Sequence, residues 1–283
     1  MTVIQSLLLG ILQGIAEFLP ISSSGHLKIV QNLFGLEEVP LLFDVMLHLA
    51  TLLAVVIFFR KKIWDLLKVF GRWITKAPAP EYVNEEDLLC GTEERGRNTI
   101  IAIIISTIVT GVMGIVASKF IPDLPIKFVC VGFIITSVFL VVSSIITKKR
   151  SASEAVVEYK GITKLQALFI GFMQGVGTLP GISRSGSTIA GAQFCGVTRA
   201  AAGEYSFIVS IPAILGAFIL EAKDLGEVGS TIGILPVVVG CLASFVAGYF
   251  SLAVLMKIIK KGKLEWFACY LIPVAILGLI FFK

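Results

Sequence analysis

The amino-acid sequence predicts an all-α integral membrane protein with six transmembrane helices and two re-entrant helical hairpins, arranged as an inverted repeat. The prediction rests on an apolar composition, a set of long apolar segments, and two polar stretches that resemble each other. Of the 283 residues, 56% are hydrophobic and 15% are charged, and the mean hydropathy is +0.94. Soluble globular domains are far less apolar, so residues 1–283 are predicted to form a single membrane domain.

Six segments reach the length of about 20 apolar residues that crosses the hydrocarbon core of a bilayer. Each ends at a charged residue, a proline or a glycine, and the predicted bounds are 41–59, 99–121, 126–147, 199–221, 232–256 and 266–282. The longest polar connection, 60–98, is predicted to be a solvated amphipathic excursion. The N-terminal apolar run has no early Lys or Arg and continues into polar residues, so it is predicted to be retained rather than removed as a signal peptide.

Positive charge orients these spans, because short loops that are rich in Lys and Arg stay in the cytoplasm. Such loops occur at 60–98, 148–164 and 257–265. They alternate correctly with the spans only if residues 165–198 leave and return to the cytoplasmic face, as a re-entrant hairpin or as two full spans. By the same count, residues 1–40 begin and end outside. The predicted order is hairpin 1–40, three spans within 41–147, hairpin 165–198, and three inverted spans within 199–283.

The two hairpins carry similar polar sequences in apolar surroundings, GIAEFLPISSSGHLKIV at 14–30 and GVGTLPGISRSGSTIAG at 175–191. Irregular backbone at membrane depth is tolerated only where protein or a water-filled cavity satisfies it. The Pro and Gly residues of both stretches therefore indicate a protein-lined cavity near the midplane, as in other inverted repeats with broken helices. The structural alternative is a pair of kinks whose serine hydroxyls bond back to helical carbonyls.

Three ionisable side chains in these stretches, Glu17, His26 and Arg184, indicate function, because a charge at the bilayer centre costs at least about 2.5 kcal/mol. Gln13 lies one helical turn before Glu17 on the same face. Further hydroxyl groups and glycine N–H groups surround them, at Ser22, Ser23, Ser24, Gly25, Ser183, Ser185, Gly186 and Thr188. A guanidinium, hydroxyls and loop N–H groups suit phosphate oxygens. The added carboxylate and imidazole suit phosphoryl transfer. A purely structural ion pair between Glu17 and Arg184 is the alternative.

The stretches QGIAE, PISSSGH and PGISRSGST closely resemble the motifs of the undecaprenyl-diphosphate phosphatase family, the bacitracin-resistance type. FDVMLHLATLLAV and EYSFIVSIPAILGA, which follow the two hairpins, also look like that family, so the resemblance covers nearly the whole chain. It implies a multi-pass enzyme of the bacterial inner (cytoplasmic) membrane. Such an enzyme hydrolyses undecaprenyl diphosphate to undecaprenyl phosphate and inorganic phosphate, recycles the carrier for cell-wall synthesis and confers bacitracin resistance. The implied partners are a polyprenyl diphosphate lipid and the bilayer, with no nucleic acid; a homodimer is left open.

The resemblance also assigns roles to residues. It implies that Glu17, Ser23, His26 and Arg184 are catalytic, and with the residue chemistry above it places the substrate on Gln13, Ser22, Ser24, Gly25, Ser183, Ser185, Gly186 and Thr188. It further implies a divalent cation, Mg²⁺ or Ca²⁺, with oxygen ligands from Glu17 and Gln13. The family's first motif position takes Glu or Gln. The uncharged Gln13 leaves Glu17 as the main carboxylate.

Two alternatives stay open from the sequence. Ser23 as the nucleophile with His26 as its base, and His26 acting directly, both agree with the motif. His48, which follows Asp44 by one helical turn, is predicted to support the site or the fold rather than to react.

A polyprenyl-phosphate transporter or flippase is the non-enzyme alternative, because hairpins that meet at the midplane also occur in transporters. The phosphatidic-acid phosphatase type is excluded, because it needs a second histidine after its Ser-Arg stretch and none follows His48.

The predicted topology can be tested by cysteine labelling in a variant that lacks the native cysteines. Ser153→Cys and Gly262→Cys should react with an impermeant thiol reagent only from the cytoplasmic side, and Gly229→Cys only from outside. Labelling of positions 153 and 262 from opposite faces would contradict the topology.

Overall fold

The computed structural model describes residues 1–36, 39, 41–80, 84, 86–120, 124–152, 161–221 and 232–282. Over these residues the chain is helical and contains no strand. Eleven helices follow one another in them: α1 Val3–Phe18, α2 Ser23–Leu33, α3 Leu41–Phe58, α4 Arg60–Thr75, α5 Glu93–Phe120, α6 Ile126–Ala152, α7 Lys164–Val176, α8 Arg184–Phe194, α9 Arg199–Glu221, α10 Ile234–Lys261 and α11 Trp266–Phe281. The all-α class is thereby confirmed. Positions 153 and 229 of the labelling test lie outside the described residues.

Four helices are long and apolar enough to cross a membrane by themselves, namely α5, α6, α9 and α10. Helix α3 qualifies only together with α4, from which it is bent by 76°. Helices α1 and α11 are apolar but have 16 residues each. Length and composition therefore support a multi-pass protein with four or five spans in the described part of the chain. The sequence predicts six.

The connection 60–98, predicted to be a solvated amphipathic excursion, contains the regular helix α4. Helix α4 is amphipathic, and its exposed side chains include Trp64, Leu67, Phe70, Trp73 and Ile74. A helix that combines exposed aromatic residues with Lys and Arg suits the membrane interface better than bulk water.

Three ion pairs, made by Lys62 and Arg72, hold α4 against its neighbours. Lys62 Nζ lies 3.1 Å from Asp87 Oδ1 and also pairs with Glu204 of α9. Arg72 Nη2 lies 2.8 Å from Glu93 Oε2 at the start of α5. Ion pairs therefore connect helix α4 to both α5 and α9.

The two predicted hairpins are repeats in structure as well as in sequence. Helix α1 packs on α2, and α7 packs on α8. Corresponding residues lie 161 positions apart, so that α2, which begins at Ser23, matches α8, which begins at Arg184. Both first helices begin with a capping box, formed by Thr2 with Gln5 and by Thr163 with Gln166. The same local signals thus start both hairpins.

Each hairpin is held mainly by a helix from the other half of the chain: α1 packs on α10, and α7 packs on α5. Small residues allow these helices to approach closely, as is common where helices associate in lipid. Gly10 lies against the backbone of Gly240, and Gly171 lies against the backbone of Ser106. Ser106 Oγ also donates a hydrogen bond to the carbonyl oxygen of Ala167 at 2.7 Å. Because each hairpin packs against a helix from the other half of the chain, the turns of the two hairpins are brought together.

The close approach of α1 and α10 should make Gly10 sensitive to any added side chain. Gly10→Val would place Cβ against the Gly240 backbone, and overpacking of this kind costs about 1–3 kcal/mol. Gly111→Val is the matched control, because no atom lies within 4 Å of a Cβ added there. The melting temperature in detergent should fall clearly for Gly10→Val and much less for Gly111→Val. Equal melting temperatures for the two variants would contradict this packing.

Candidate functional site

A polar cavity of about 220 Å³ lies where the turns of the two hairpins meet. The first hairpin contributes Glu17 and a run of three serines, and the second contributes Ser183 and Arg184. The rest of the lining comes from neighbouring helices and the second turn: His48, Thr110, Gln174, Gly177, Thr178, Ile182, Ala213, Ile214, Ala217 and Ala16. The sequence repeat therefore forms one shared cavity.

The carboxylate of Glu17 is the centre of the polar contacts in this cavity. Glu17 Oε2 accepts hydrogen bonds from Gln13 Nε2 at 3.0 Å and from Ser23 Oγ at 2.7 Å. His48 Nε2 lies 3.3 Å from the same oxygen, and Arg184 Nη2 donates to Glu17 Oε1. The partners come from α1, α2, α3 and α8, so one buried carboxylate ties together four helices.

Arg184 links the two hairpins and still has capacity for a ligand. Its Nη2 is engaged by Glu17, whereas its Nη1 is buried and has no hydrogen-bond partner among the described residues. A buried guanidinium nitrogen without an acceptor is costly unless a ligand or water supplies one. Arg184, which lines the cavity, therefore retains unused hydrogen-bond donor capacity.

Both second helices of the hairpins start at the cavity. Ser22 caps α2 by accepting a hydrogen bond from Gly25 N at 3.4 Å, and Ser183 caps α8 by accepting one from Gly186 N at 3.1 Å. Helix N-termini carry partial positive charge and bind anions readily. Ser22 also has φ of 70°, a conformation that non-glycine residues adopt mainly at turns and functional sites. The cavity is thus built to receive an anion.

The structure places His26 behind the cavity lining rather than in it. Its Nδ1 lies 2.8 Å from the Ser22 carbonyl oxygen, and its Nε2 lies 2.9 Å from the Tyr270 hydroxyl. The ring is nearly parallel to that of Tyr270, with centroids 5.7 Å apart, and lies 4.8 Å from the tilted ring of Phe133. Because a carbonyl only accepts hydrogen bonds, Nδ1 carries the proton, and in the neutral ring Nε2 accepts from Tyr270. Both ring nitrogens of this predicted catalytic residue are therefore occupied away from Glu17.

His48 lies in the cavity instead, although the sequence predicts only a supporting role for it. Its Nδ1 lies 2.7 Å from the Asp44 carbonyl oxygen, and its Nε2 faces Glu17. Both neighbours are hydrogen-bond acceptors, so the contacts are satisfied when each ring nitrogen carries a proton and the pair is an imidazolium and a carboxylate. His48 thus contributes a second cation next to Arg184.

Several residues predicted to bind substrate serve the local structure. Gln13, Gly25, Ser185, Gly186 and Thr188 are not part of the cavity lining. Ser185 Oγ donates to the carbonyl oxygen of Phe18 at 3.1 Å, and Thr188 Oγ1 donates to that of Arg184 at 2.7 Å. Gly25 packs against Phe133, and Gly186 packs against Pro20. Ser22, Ser23, Ser24 and Ser183 do line the cavity, with Glu17 and Arg184.

Among the polar lining residues that escaped the sequence analysis, two belong to the second hairpin, Gln174 and Thr178. Gln174 Nε2 donates to Thr110 Oγ1 at 3.0 Å, while its Oε1 is buried without a partner in the described part of the chain. The repeat could have identified both residues, because at a spacing of 161 positions Gln174 corresponds to Gln13 and Thr178 corresponds to Glu17.

The donor set around Glu17 fits a divalent cation only in part. Among the described residues there is no cluster of three or more His, Cys, Asp or Glu side chains that could hold a metal ion. Oxygen donors are nevertheless at hand in the Glu17 carboxylate, the Ser23 hydroxyl and the buried Oε1 of Gln13, which has no partner there. Mg²⁺ commonly uses one or two carboxylates and completes its shell with water and substrate phosphates. The residues therefore suit a cation that binds together with a phosphate.

Comparison with known proteins agrees with these features. The family model described as bacitracin resistance protein BacA matches residues 6–277. A protein of Treponema denticola named undecaprenyl-diphosphatase is 45% identical over 276 residues, which cover 98% of this chain and 96% of the relative. A protein of Desulfosudis oleivorans with the same name is 39% identical over 272 residues, 94% of each chain. The resemblance seen in the sequence motifs is confirmed, and this chain belongs to the family of the bacitracin resistance protein BacA.

Proposed function

We propose that this chain is an undecaprenyl-diphosphate phosphatase, which hydrolyses undecaprenyl diphosphate to undecaprenyl phosphate and inorganic phosphate. The family match over nearly the whole chain and the shared name of the relatives support this activity. Recycling of the lipid carrier for cell-wall synthesis and resistance to bacitracin follow from it. The transporter alternative has no counterpart in the family description or in the names of these relatives.

The structural observation that carries the proposal is Arg184 Nη1, which has no hydrogen-bond partner among the described residues, at a cavity lined by the first residues of α2 and α8. The charge of the cavity lining also favours a diphosphate. Arg184 and the imidazolium of His48 face Glu17, the one carboxylate among the described lining residues, so the lining has an excess of positive charge. A diphosphate neutralises this excess and supplies acceptors for Arg184 Nη1.

Ser23 is the proposed nucleophile and Glu17 its base. Ser23 Oγ donates to Glu17 Oε2 at 2.7 Å, which is the spacing of an activated nucleophile and its base. The Ser23 oxygen attacks the terminal phosphorus, the bond to the bridging oxygen breaks, and the hydroxyl proton passes to Glu17. Undecaprenyl phosphate leaves with the bridging oxygen. The proton on Glu17 passes to the departing phosphate. Water then attacks the phosphorus of the phosphoserine and gives a proton to Glu17, the bond between phosphorus and Ser23 Oγ breaks, and Glu17 returns the proton to Oγ as inorganic phosphate leaves.

His26 takes a positioning role in this scheme rather than that of a base. It holds the carbonyl group of Ser22 through Nδ1 and is itself held by Tyr270. The contact fixes the turn that presents Ser23 and so supports the reacting hydroxyl from behind.

A divalent cation, Mg²⁺ or Ca²⁺, is inferred to bind with the diphosphate, held by Glu17 and Gln13. When bound it supplies positive charge against the phosphate oxygens. The uncharged Gln13 gives the pair of ligands a single negative charge, so we expect the affinity for a cation alone to be weak and to rise in the presence of diphosphate.

The proposed membrane arrangement has six crossings and two re-entrant hairpins, in the inner membrane. Helix α11, at 16 residues, is about 24 Å long and covers most of a hydrocarbon core of about 30 Å. The similar hairpins, each packed on the opposite half of the chain, support an inverted repeat.

Phosphate release tests the proposed activity directly. The protein purified in detergent should release inorganic phosphate from a C55 polyprenyl diphosphate, stop on addition of a chelator, and resume with Mg²⁺ or Ca²⁺. Ser23→Ala, prepared in the same way, is the control for contaminating phosphatases. A wild-type protein that binds the lipid but releases no phosphate would contradict the proposal and favour transport. Full activity in the presence of chelator would show that the reaction needs no divalent cation.

Arg184→Lys separates a phosphate clamp from a structural ion pair. Lys keeps the charge beside Glu17 but cannot offer two nitrogens in one plane to Glu17 and phosphate. The melting temperature should therefore stay close to that of the wild type, while turnover falls about 10²-fold, the scale seen when one preorganised donor is lost. Near-normal turnover in Arg184→Lys would return Arg184 to a structural role.

His48 is tested by a pair of substitutions that differ in hydrogen bonding. His48→Leu removes the donor to Glu17 and should lower turnover by roughly tenfold or more. His48→Gln keeps an N–H donor of similar reach and should restore a large part of that loss. Wild-type turnover in His48→Leu would show that the contact has no part in the reaction.

A further inference from the structure

The net positive charge of the chain is concentrated on helix α4 and its C-terminal cap. Residues 60–76 contain six of the 24 Lys and Arg residues of the chain and one of its 19 Asp and Glu residues. The other residues therefore carry as many acidic as basic side chains, and the net charge of +5 comes from this one segment. A negatively charged partner is the expected match for such a surface.

Helix α4 separates its basic and apolar side chains onto nearly opposite faces. At 3.6 residues per turn, Lys61, Lys68 and Arg72 fall within an arc of about 40°. Leu66 and Val69, on one flank of this arc, are buried against the protein. The exposed aliphatic and aromatic side chains of the opposite face are Leu67, Phe70 and Ile74.

The direction of α4 also suits the surface of a membrane. Helix α3 is apolar and has 18 residues, about 27 Å of helix, and α4 is bent by 76° from it. With α3 as one of the proposed crossings, α4 lies nearly parallel to the membrane plane. An amphipathic helix in that position directs its apolar face to hydrocarbon and its basic face to the lipid headgroups.

Three lysines of this segment are available to bind a ligand. Lys61 and Lys76 are exposed, and their ammonium groups have no hydrogen bond or ion pair to any described residue. Lys68 Nζ lies 3.1 Å from Asp65 Oδ1, but both side chains are half exposed, and exposed ion pairs contribute little to stability. Arg72, in contrast, is paired with a carboxylate of α5.

We propose that the basic face of α4 binds the headgroups of anionic phospholipids in the cytoplasmic leaflet, the side on which the Lys- and Arg-rich loops are predicted to lie. Lysine ammonium groups above an exposed apolar face match a ligand with a phosphate head and hydrocarbon below it. Lysines offer point charges rather than a shaped pocket, so the helix selects for charge. Lys61, Lys68 and Lys76 do not line the cavity at Arg184, and the inference does not depend on the proposed activity.

The test uses Trp64 as a reporter of the lipids that contact α4. Its ring is exposed, and Lys68 Nζ lies 6.0 Å from the ring centroid. Trp73→Phe and Trp266→Phe leave Trp64 as the one tryptophan of the three in the chain. This protein is reconstituted into two kinds of vesicle, each an equal mixture of phosphatidylglycerol and phosphatidylcholine. The acyl chains carry bromine, which quenches tryptophan fluorescence, on the anionic lipid in one kind and on the zwitterionic lipid in the other.

Two triple variants in the same background locate the effect. The first removes three charges from the α4 segment, by Lys61→Gln, Lys68→Gln and Lys76→Gln. The matched control removes three charges from the end of α10, by Lys257→Gln, Lys260→Gln and Lys261→Gln. All six side chains are exposed, so neither variant disturbs the packing of the protein.

We expect brominated phosphatidylglycerol to quench Trp64 about twofold or more as strongly as brominated phosphatidylcholine, because one lysine at the surface favours an anionic lipid about fivefold. The α4 variant should bring the two values together, and the α10 variant should keep them apart. Equal quenching by the two lipids before these lysines are replaced would overturn the proposal. An equal loss of the difference in the α10 variant would also overturn it, because the selection would then belong to the overall charge. Absence of quenching by either lipid would show that α4 lies away from the bilayer.

Discussion

The buried carboxylate of Glu17 constrains this protein more than any other single group. A charged group deep in a membrane protein is tolerated only with partners that compensate it. Here the partners are Gln13, Ser23, His48 and Arg184. They reside on four helices from both halves of the chain, so satisfying one carboxylate requires that the two hairpins meet. The small-residue contacts of Gly10 and Gly171 make that approach sterically feasible.

The groups that compensate the Glu17 carboxylate also determine what the cavity can bind. Two cations gather around one carboxylate, and two helix N-termini point at the space between them. The resulting excess of positive charge needs an anion, and Arg184 Nη1 marks where an acceptor belongs. The interaction that stabilises the hairpin pair in the absence of substrate thus also prepares the site for a diphosphate. Stability and function depend on the same few side chains.

The sequence predicted the helical class and the meeting of the two hairpin turns that carry Glu17 and Arg184, because composition and an internal repeat of charged motifs carry that information. The sequence could not show which of the two histidines contacts Glu17. His26 lies next to the serine motif in the chain, yet its ring is turned away by Tyr270, which is 244 residues distant. His48 reaches Glu17 through the packing of α3, which periodicity does not encode.

The most direct test of this account is a double-mutant cycle between Glu17 and Arg184, read as unfolding free energy in detergent. Glu17→Gln and Arg184→Gln should each destabilise the protein, because each leaves the opposite charge buried without its partner. The double variant should recover part of the loss, with a coupling energy of about 1–3 kcal/mol. Strictly additive effects of the two substitutions would contradict the claim that this ion pair joins the two hairpins.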